Sequence, residues 1–242
     1  MSFMELSRNL DHPGAIYGLE FPYRNHAGNP VQTVEEIADL FNEAIARITP
    51  PQNVHLMGYS FGGLVAYEMA RQLQLRHLQV RSLILLDSFL PSAVRPRNPL
   101  ARLGIHARRA WRHGFGAKAV RMFEKDASFA NGAATQEYRS LRPNGAEIDR
   151  LTRRAFDTYR PGTYKGDLIF IHPMEISEWL EFCIVDPSGG WRSTALGNIR
   201  NIPTPGNHLS MLHKLHIDDL ARILDSCFSS SVATNTGQYA PL

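Results

Sequence analysis

At 242 residues with 43% hydrophobic composition, the chain can bury one sizeable core, and α/β folds of this length commonly form a single domain. A net charge of only +3 gives no general footprint for nucleic acid. No run of about 18 apolar residues suggests a membrane span, and residues 1–20 lack the basic-then-apolar order of a signal peptide, so a soluble, cytoplasmic protein is expected.

Apolar runs bounded by turn residues predict strands at Ala15–Glu20, Val54–Tyr59, Ser82–Leu86, Asp167–Ile171 and Asn198–Pro203. Between the first two, Thr33–Ile48 predicts a helix. It opens with a capping box of Thr33 and Glu36 and buries Val34, Ile37, Leu40, Phe41, Ile45 and Ile48. Leu64–Leu75 predicts a second helix, and His216–Phe228 a last one, with Ile217, Leu220, Ile223 and Leu224 on one face. Alternating strands and helices imply a mostly parallel, doubly wound α/β sheet with functional residues just after the strands.

Residues 89–165 read as helices without an intervening strand, an insertion laid over the sheet as a lid. Arg95, Arg97, Arg102, Arg108, Arg109, Arg112, Lys118, Arg121 and Lys125 make its first part cationic, against the single acid Glu124. Leu100, Leu103, Ala107, Ala110 and Trp111 recur at helical spacing, leaving the arginines on another face. Residues 1–228 are thus expected to form one domain. Residues 229–242 are polar and aperiodic and read as a disordered tail. Cys183 and Cys227 have neither metal-ligand spacing nor the density of a disulfide scaffold.

GYSFGG, Gly58–Gly63, stands where the apolar run VHLMGY gives way to the helical pattern FGGLVAYEMARQL. This is the setting of a nucleophile elbow, a strained strand-to-helix turn that exposes the Ser60 oxygen. Gly58 and Gly62 are expected to avoid clashes there, and the Phe61 amide at the helix start is the expected oxyanion donor.

A serine hydroxyl needs a base, and the base needs an acid to orient it. Of ten histidines, His208 falls in a short Gly-containing loop, PTPGNHLSML, after the last strand pattern. Two acids obey the order Ser, acid, His: Asp87, which ends the strand RSLILL, and Asp186, in the loop before the last strand. Asp87 would emerge at the same sheet edge as Ser60, whereas Asp186 precedes Pro187 and reads as a turn residue. His213 and His216, at i, i+3 in a predicted helix, lack a third ligand and imply no metal.

Several segments together resemble the thioesterase domains that end nonribosomal peptide and polyketide synthases. They are YGLEFP at 17–22, TVEEIADLFNEAI at 33–45, GYSFGGLVAYEMARQL at 58–73, LILLDS at 83–88, YRPGTYKGDLIFI at 159–171, and GW with PGNHLSML near the end. The resemblance implies an α/β-hydrolase fold with a lid over a substrate channel, Asp87 as the acid and His208 as the base. It also implies an acyl chain delivered on the phosphopantetheine arm of a carrier protein, with no cofactor of the enzyme's own. Carrier or upstream synthase domains are the implied partners, and the basic lid segment could face them.

The family also carries an upstream strand ending in an HPGG-like loop that supplies a second oxyanion N–H. No such segment is read here, and MSFMELSRNL resembles the helix that follows that loop. His12-Pro13-Gly14 looks like the motif but stands directly before AIYGLE and reads as a turn. The expected function is release of a peptide or polyketide acyl chain through an acyl-serine, by hydrolysis or cyclisation. The alternatives are an esterase or lipase-like serine hydrolase, or a catalytically weak remnant that docks a carrier.

Overall fold

The computed structural model describes residues 2–105, 145–176 and 181–233. Its main sheet has four parallel strands: β1 (His55–Tyr59), β2 (Ser82–Leu86), β4 (Leu168–Pro173) and β6 (Ile199–Thr204), in the order β1-β2-β4-β6. β3 (Val94–Pro96) and β5 (Cys183–Val185) form a separate antiparallel pair. The helices are α1 (Ser2–Asn9), α2 (Val34–Ala46), α3 (Phe61–Leu75), α4 (Gly145–Thr158) and α5 (Ile217–Ala233), with a helical segment at 99–105.

Period-2 alternation along the strands sorts the core into two layers. Leu56, Leu83, Leu85, Leu168 and Phe170 join Val34, Ile37, Leu64 and Met69 of α2 and α3 on one face. Ile84, Leu86 and Ile171 join Leu6 of α1 and Leu220, Leu224 and Phe228 of α5 on the other. Helices on both faces of a parallel sheet are the doubly wound α/β arrangement predicted.

α2 begins as its capping box predicts: Thr33 Oγ1 accepts from the Glu36 N–H at 3.1 Å, while the Glu36 carboxylate accepts from the Gln32 N–H at 2.8 Å. Ile48 lies beyond the helix end and is exposed, so it leaves the predicted buried face. Between α3 and α4, the buried Glu68 accepts from Arg71 at 2.7 and 2.8 Å and from the Tyr159 hydroxyl at 3.0 Å. Burial and that neighbouring carboxylate push the Tyr159 phenol far up, so it stays a neutral donor.

Three expectations are corrected. Residues 15–20 are not a strand: among the described residues they join neither sheet, and Ile16, Tyr17 and Leu19 stand exposed. The segment 89–165 does contain a strand, β3, whose three residues are too short to show a period. α5 continues to Ala233, five residues into the expected tail, whose residues 234–242 lie outside the described residues. Of the basic segment only Arg95, Arg97 and Arg102 are described; Arg108 to Lys125, with Ala107, Ala110 and Trp111, lie outside the described residues, while Leu100 and Leu103 are exposed. No helix among the described residues is long and apolar enough to cross a membrane.

Candidate active site

The carboxyl ends of β1 and β2 lie side by side, Tyr59 in register with Leu86, so that Ser60 and Asp87 are the next residue on each strand. Ser60 joins β1 to α3 with φ 53° and ψ −122°, a conformation that costs an L-residue on the order of 1–3 kcal/mol. Two backbone hydrogen bonds hold it there: its N–H donates to the Leu86 carbonyl at 2.9 Å, and the Gly63 N–H donates to the Ser60 carbonyl at 3.0 Å.

Glycine is required at Gly58, where a Cβ would lie 2.1 Å from the Gly62 carbonyl oxygen, and at Gly63, where it would lie 2.4 Å from the Ser88 side chain. At Gly62 a Cβ would meet nothing within 4 Å, so the second crowded glycine is Gly63, not Gly62 as the sequence suggested. Phe61 is the first residue of α3, in the first turn, where N–H groups have no carbonyl four residues back to bond. The positive end of the helix dipole lies at this point.

Asp87 follows β2 with φ 41° and is 1% exposed; its N–H donates to the Ile171 carbonyl at 2.8 Å. Its Oδ2 lies 2.6 Å from Nδ1 of His208. An ionised carboxylate only accepts, so this contact puts the imidazole proton on Nδ1 and leaves Nε2 free to act as a base. Oδ1 is buried without a partner among the described residues, so the imidazole is the group that answers the carboxylate's charge.

The loop that carries His208 is tied by its neighbours. Asn207 Oδ1 accepts from the N–H groups of Leu209 and Ser210, both at 3.0 Å, and Gly206 adopts φ 85°. A local Asx turn thus sets the backbone from which the imidazole projects. Among the described residues the Ser60 hydroxyl makes no hydrogen bond to His208; contacts of this kind commonly tighten only when substrate is bound.

Asp186 is not part of this arrangement. It is exposed, and its Oδ1 accepts from the Ser188 hydroxyl at 2.5 Å and the Ser188 N–H at 2.7 Å, which hold the carboxyl below its usual range. It closes the turn into Gly189 and Gly190, whose positive φ lets Trp191 fold back. The fully buried Trp191 donates from Nε1 to the Ser88 carbonyl at 2.7 Å, bracing the backbone one residue past Asp87. Sequence reasoning carried GW only as part of a resemblance; two consecutive glycines before a tryptophan were the signal for this brace.

His12 packs against His55 and Phe228, at the opposite end of β1 from Ser60, consistent with a turn rather than an oxyanion loop. His213 and His216 lie before α5, and no group of three or more His, Cys, Asp or Glu among the described residues could hold a metal.

Residues 1–104 match the family model of the thioesterase domain. A dimodular nonribosomal peptide synthase of Bacillus subtilis (strain 168) is 25% identical over 230 residues, covering 90% of this chain and 9% of that protein. The vanchrobactin synthetase VabF of Vibrio anguillarum is 41% identical over 76 residues, 31% of this chain and 3% of that protein. The chain is similar to the thioesterase domain over its first part and to these synthases. It therefore spans a small fraction of the length of the curated synthases that it matches.

Solved thioesterases share the fold along nearly the whole chain. The Vlm2 thioesterase domain superposes with a TM-score of 0.58 at 21% identity, covering 93% of this chain and 90% of that one. The RedJ thioesterase of the prodiginine pathway in Streptomyces coelicolor gives 0.59 at 19%, covering 93% and 80%. A four-domain nonribosomal peptide synthetase gives 0.65 at 22%, covering 93% of this chain and 18% of that one. These solved structures share the α/β fold in which Ser60, Asp87 and His208 sit.

Proposed function

We propose that the protein is a serine thioesterase that releases a peptide or polyketide acyl chain from the phosphopantetheine thioester of a carrier protein. The observation that carries this reading is the Asp87–His208 hydrogen bond at the sheet edge where the Ser60 elbow also ends. Its kinship with synthase thioesterase domains supports the substrate class.

In this reading Ser60 Oγ attacks the thioester carbonyl carbon while His208 Nε2 takes its proton. The Phe61 N–H receives the oxyanion, a contribution that costs roughly 100- to 1000-fold in turnover when a comparable donor is removed. As the tetrahedral intermediate collapses, the C–S bond breaks and the departing thiolate takes the proton from His208. Water, or a nucleophile within the acyl chain, then attacks the acyl-Ser60 ester with His208 again accepting the proton. Asp87 stabilises the imidazolium at each passage.

A fluorophosphonate probe reacts with activated serines and tests the reading directly. The protein is expected to label stoichiometrically at Ser60, and S60A to abolish labelling. A folded protein that does not label at Ser60 contradicts the proposal. Comparing acyl-phosphopantetheine thioesters with simple oxygen esters tests the substrate class, with the thioesters expected to be turned over faster.

A further inference from the structure

We infer that Tyr59 is a positioning residue for the catalytic base: its ring forms a platform under the His208 imidazole, and its hydroxyl tethers the loop from which that imidazole projects. The inference rests on the proposed role of His208. The two rings are stacked, with centroids 4.8 Å apart and planes inclined by 22°. The Tyr59 hydroxyl donates a hydrogen bond to the backbone carbonyl of His208 itself. One side chain therefore holds both the ring and the main chain of the same residue.

Asp87 fixes one point of the imidazole, Nδ1, and a single hydrogen bond leaves rotation about that contact free. A flat ring stacked against the imidazole face removes this freedom, because tilting the imidazole would break face-to-face contact. The edge of the imidazole that carries Nε2 is thereby kept in one plane.

Tyr59 is itself held. It is the last residue of β1, backbone-paired in register with Leu86, and partly buried against the layer formed by Ile84, Leu86 and Leu220. Phe3 of α1 meets its ring edge-on at 6.1 Å. The chain neighbour of the nucleophile is thus the support of the base, so the distance between Ser60 and His208 is set over one peptide unit and one ring stack. Asp87 from the end of β2 and Tyr59 from β1 both contact the His208 ring.

The test uses Y59F, which keeps the platform and loses the tether, and Y59L, which loses both. It adds S60A and H208A as references, all in the full chain. Three readouts are taken: kcat and KM on an acyl-phosphopantetheine thioester, the downfield Nδ1–H proton resonance of His208, and thermal stability. Y59L is expected to lower kcat at least 10-fold with KM within 2-fold and to broaden or shift the Nδ1–H resonance. Y59F is expected to fall between wild type and Y59L. A purely structural tyrosine would lower Tm without moving kcat or the resonance of the folded protein.

Wild-type kcat and an unchanged resonance in folded Y59L and Y59F, with S60A and H208A inactive, would overturn this inference and leave the triad intact. Wild-type turnover in S60A or H208A would overturn the triad reading instead. Should Y59L not fold, Y59F decides alone: an unchanged kcat and resonance refute the tether, and a lowered kcat with a moved resonance supports it.

Discussion

Ser60 and Asp87 are held in backbone conformations that their side chains do not favour. Ser60 and Asp87 both have positive φ, and each ends a strand of the same pair. D87N would keep the shape but offer Nδ1 a donor, so the imidazole would adopt the wrong tautomer; kcat is expected to fall by about 10⁴-fold with little change in Tm. The glycines separate more sharply. G58A drives a Cβ into the Gly62 carbonyl and is expected to lose fluorophosphonate labelling and to unfold more readily, whereas G62A, with open space, is expected to keep its Tm in a thermal melt. The placement of Ser60, Asp87 and His208 just after strands was legible because each follows an apolar run at a turn. Choosing between Asp87 and Asp186 was possible for the same reason: one ends a strand and the other opens a turn. Tyr59 was not legible, because its value depends on a loop 149 residues away that only the folded sheet brings beside it.

At the scale of elements, strands with five or six residues announced themselves, while β3 and β5, three residues each, could not. The run Ala15–Glu20 shows the converse. An apolar stretch makes a strand only where another strand accepts its hydrogen bonds, and pairing is not written in local composition. α2, α3 and α4 are tied by polar contacts buried beneath the nucleophile helix: Asn42 donates to the Met69 carbonyl at 3.2 Å, and Glu68 gathers Arg71 and Tyr159. Replacing Glu68 by leucine leaves the Arg71 guanidinium and the Tyr159 hydroxyl without their acceptor and is expected to cost about 3 kcal/mol in urea unfolding. T33A removes the acceptor for the Glu36 N–H and is expected to cost about 1 kcal/mol by the same measurement, with turnover retained.

Across the whole molecule, the end of the sheet opposite the site is strapped by residues 9–12. Asn9 donates to Asp218 at 2.8 Å, the Asp11 N–H lies 3.1 Å from both Asp225 carboxylate oxygens, and His12 packs on His55 and Phe228. His55 contacts Ser82 Oγ through Nδ1 at 2.7 Å, and burial first, then the Arg81 and His12 charges, lowers its pKa to about 4. The unfolded chain, with an ordinary histidine near 6.5, binds the proton more readily than the folded one. His55 therefore contributes stability that is complete above about pH 6.5 and is lost progressively as pH falls toward 4. Chemical denaturation across that window is expected to show a decline that H55Q flattens; an identical slope in H55Q would remove His55 as its source.

The covalent acyl-Ser60 intermediate is the central claim's most direct consequence. Rapid mixing with an acyl-phosphopantetheine thioester, acid quench and peptide mapping by mass spectrometry should find one acyl group per chain, on the peptide containing Ser60, and none in S60A. Turnover of the thioester with no acyl adduct on Ser60, or with the adduct on another residue, would contradict it.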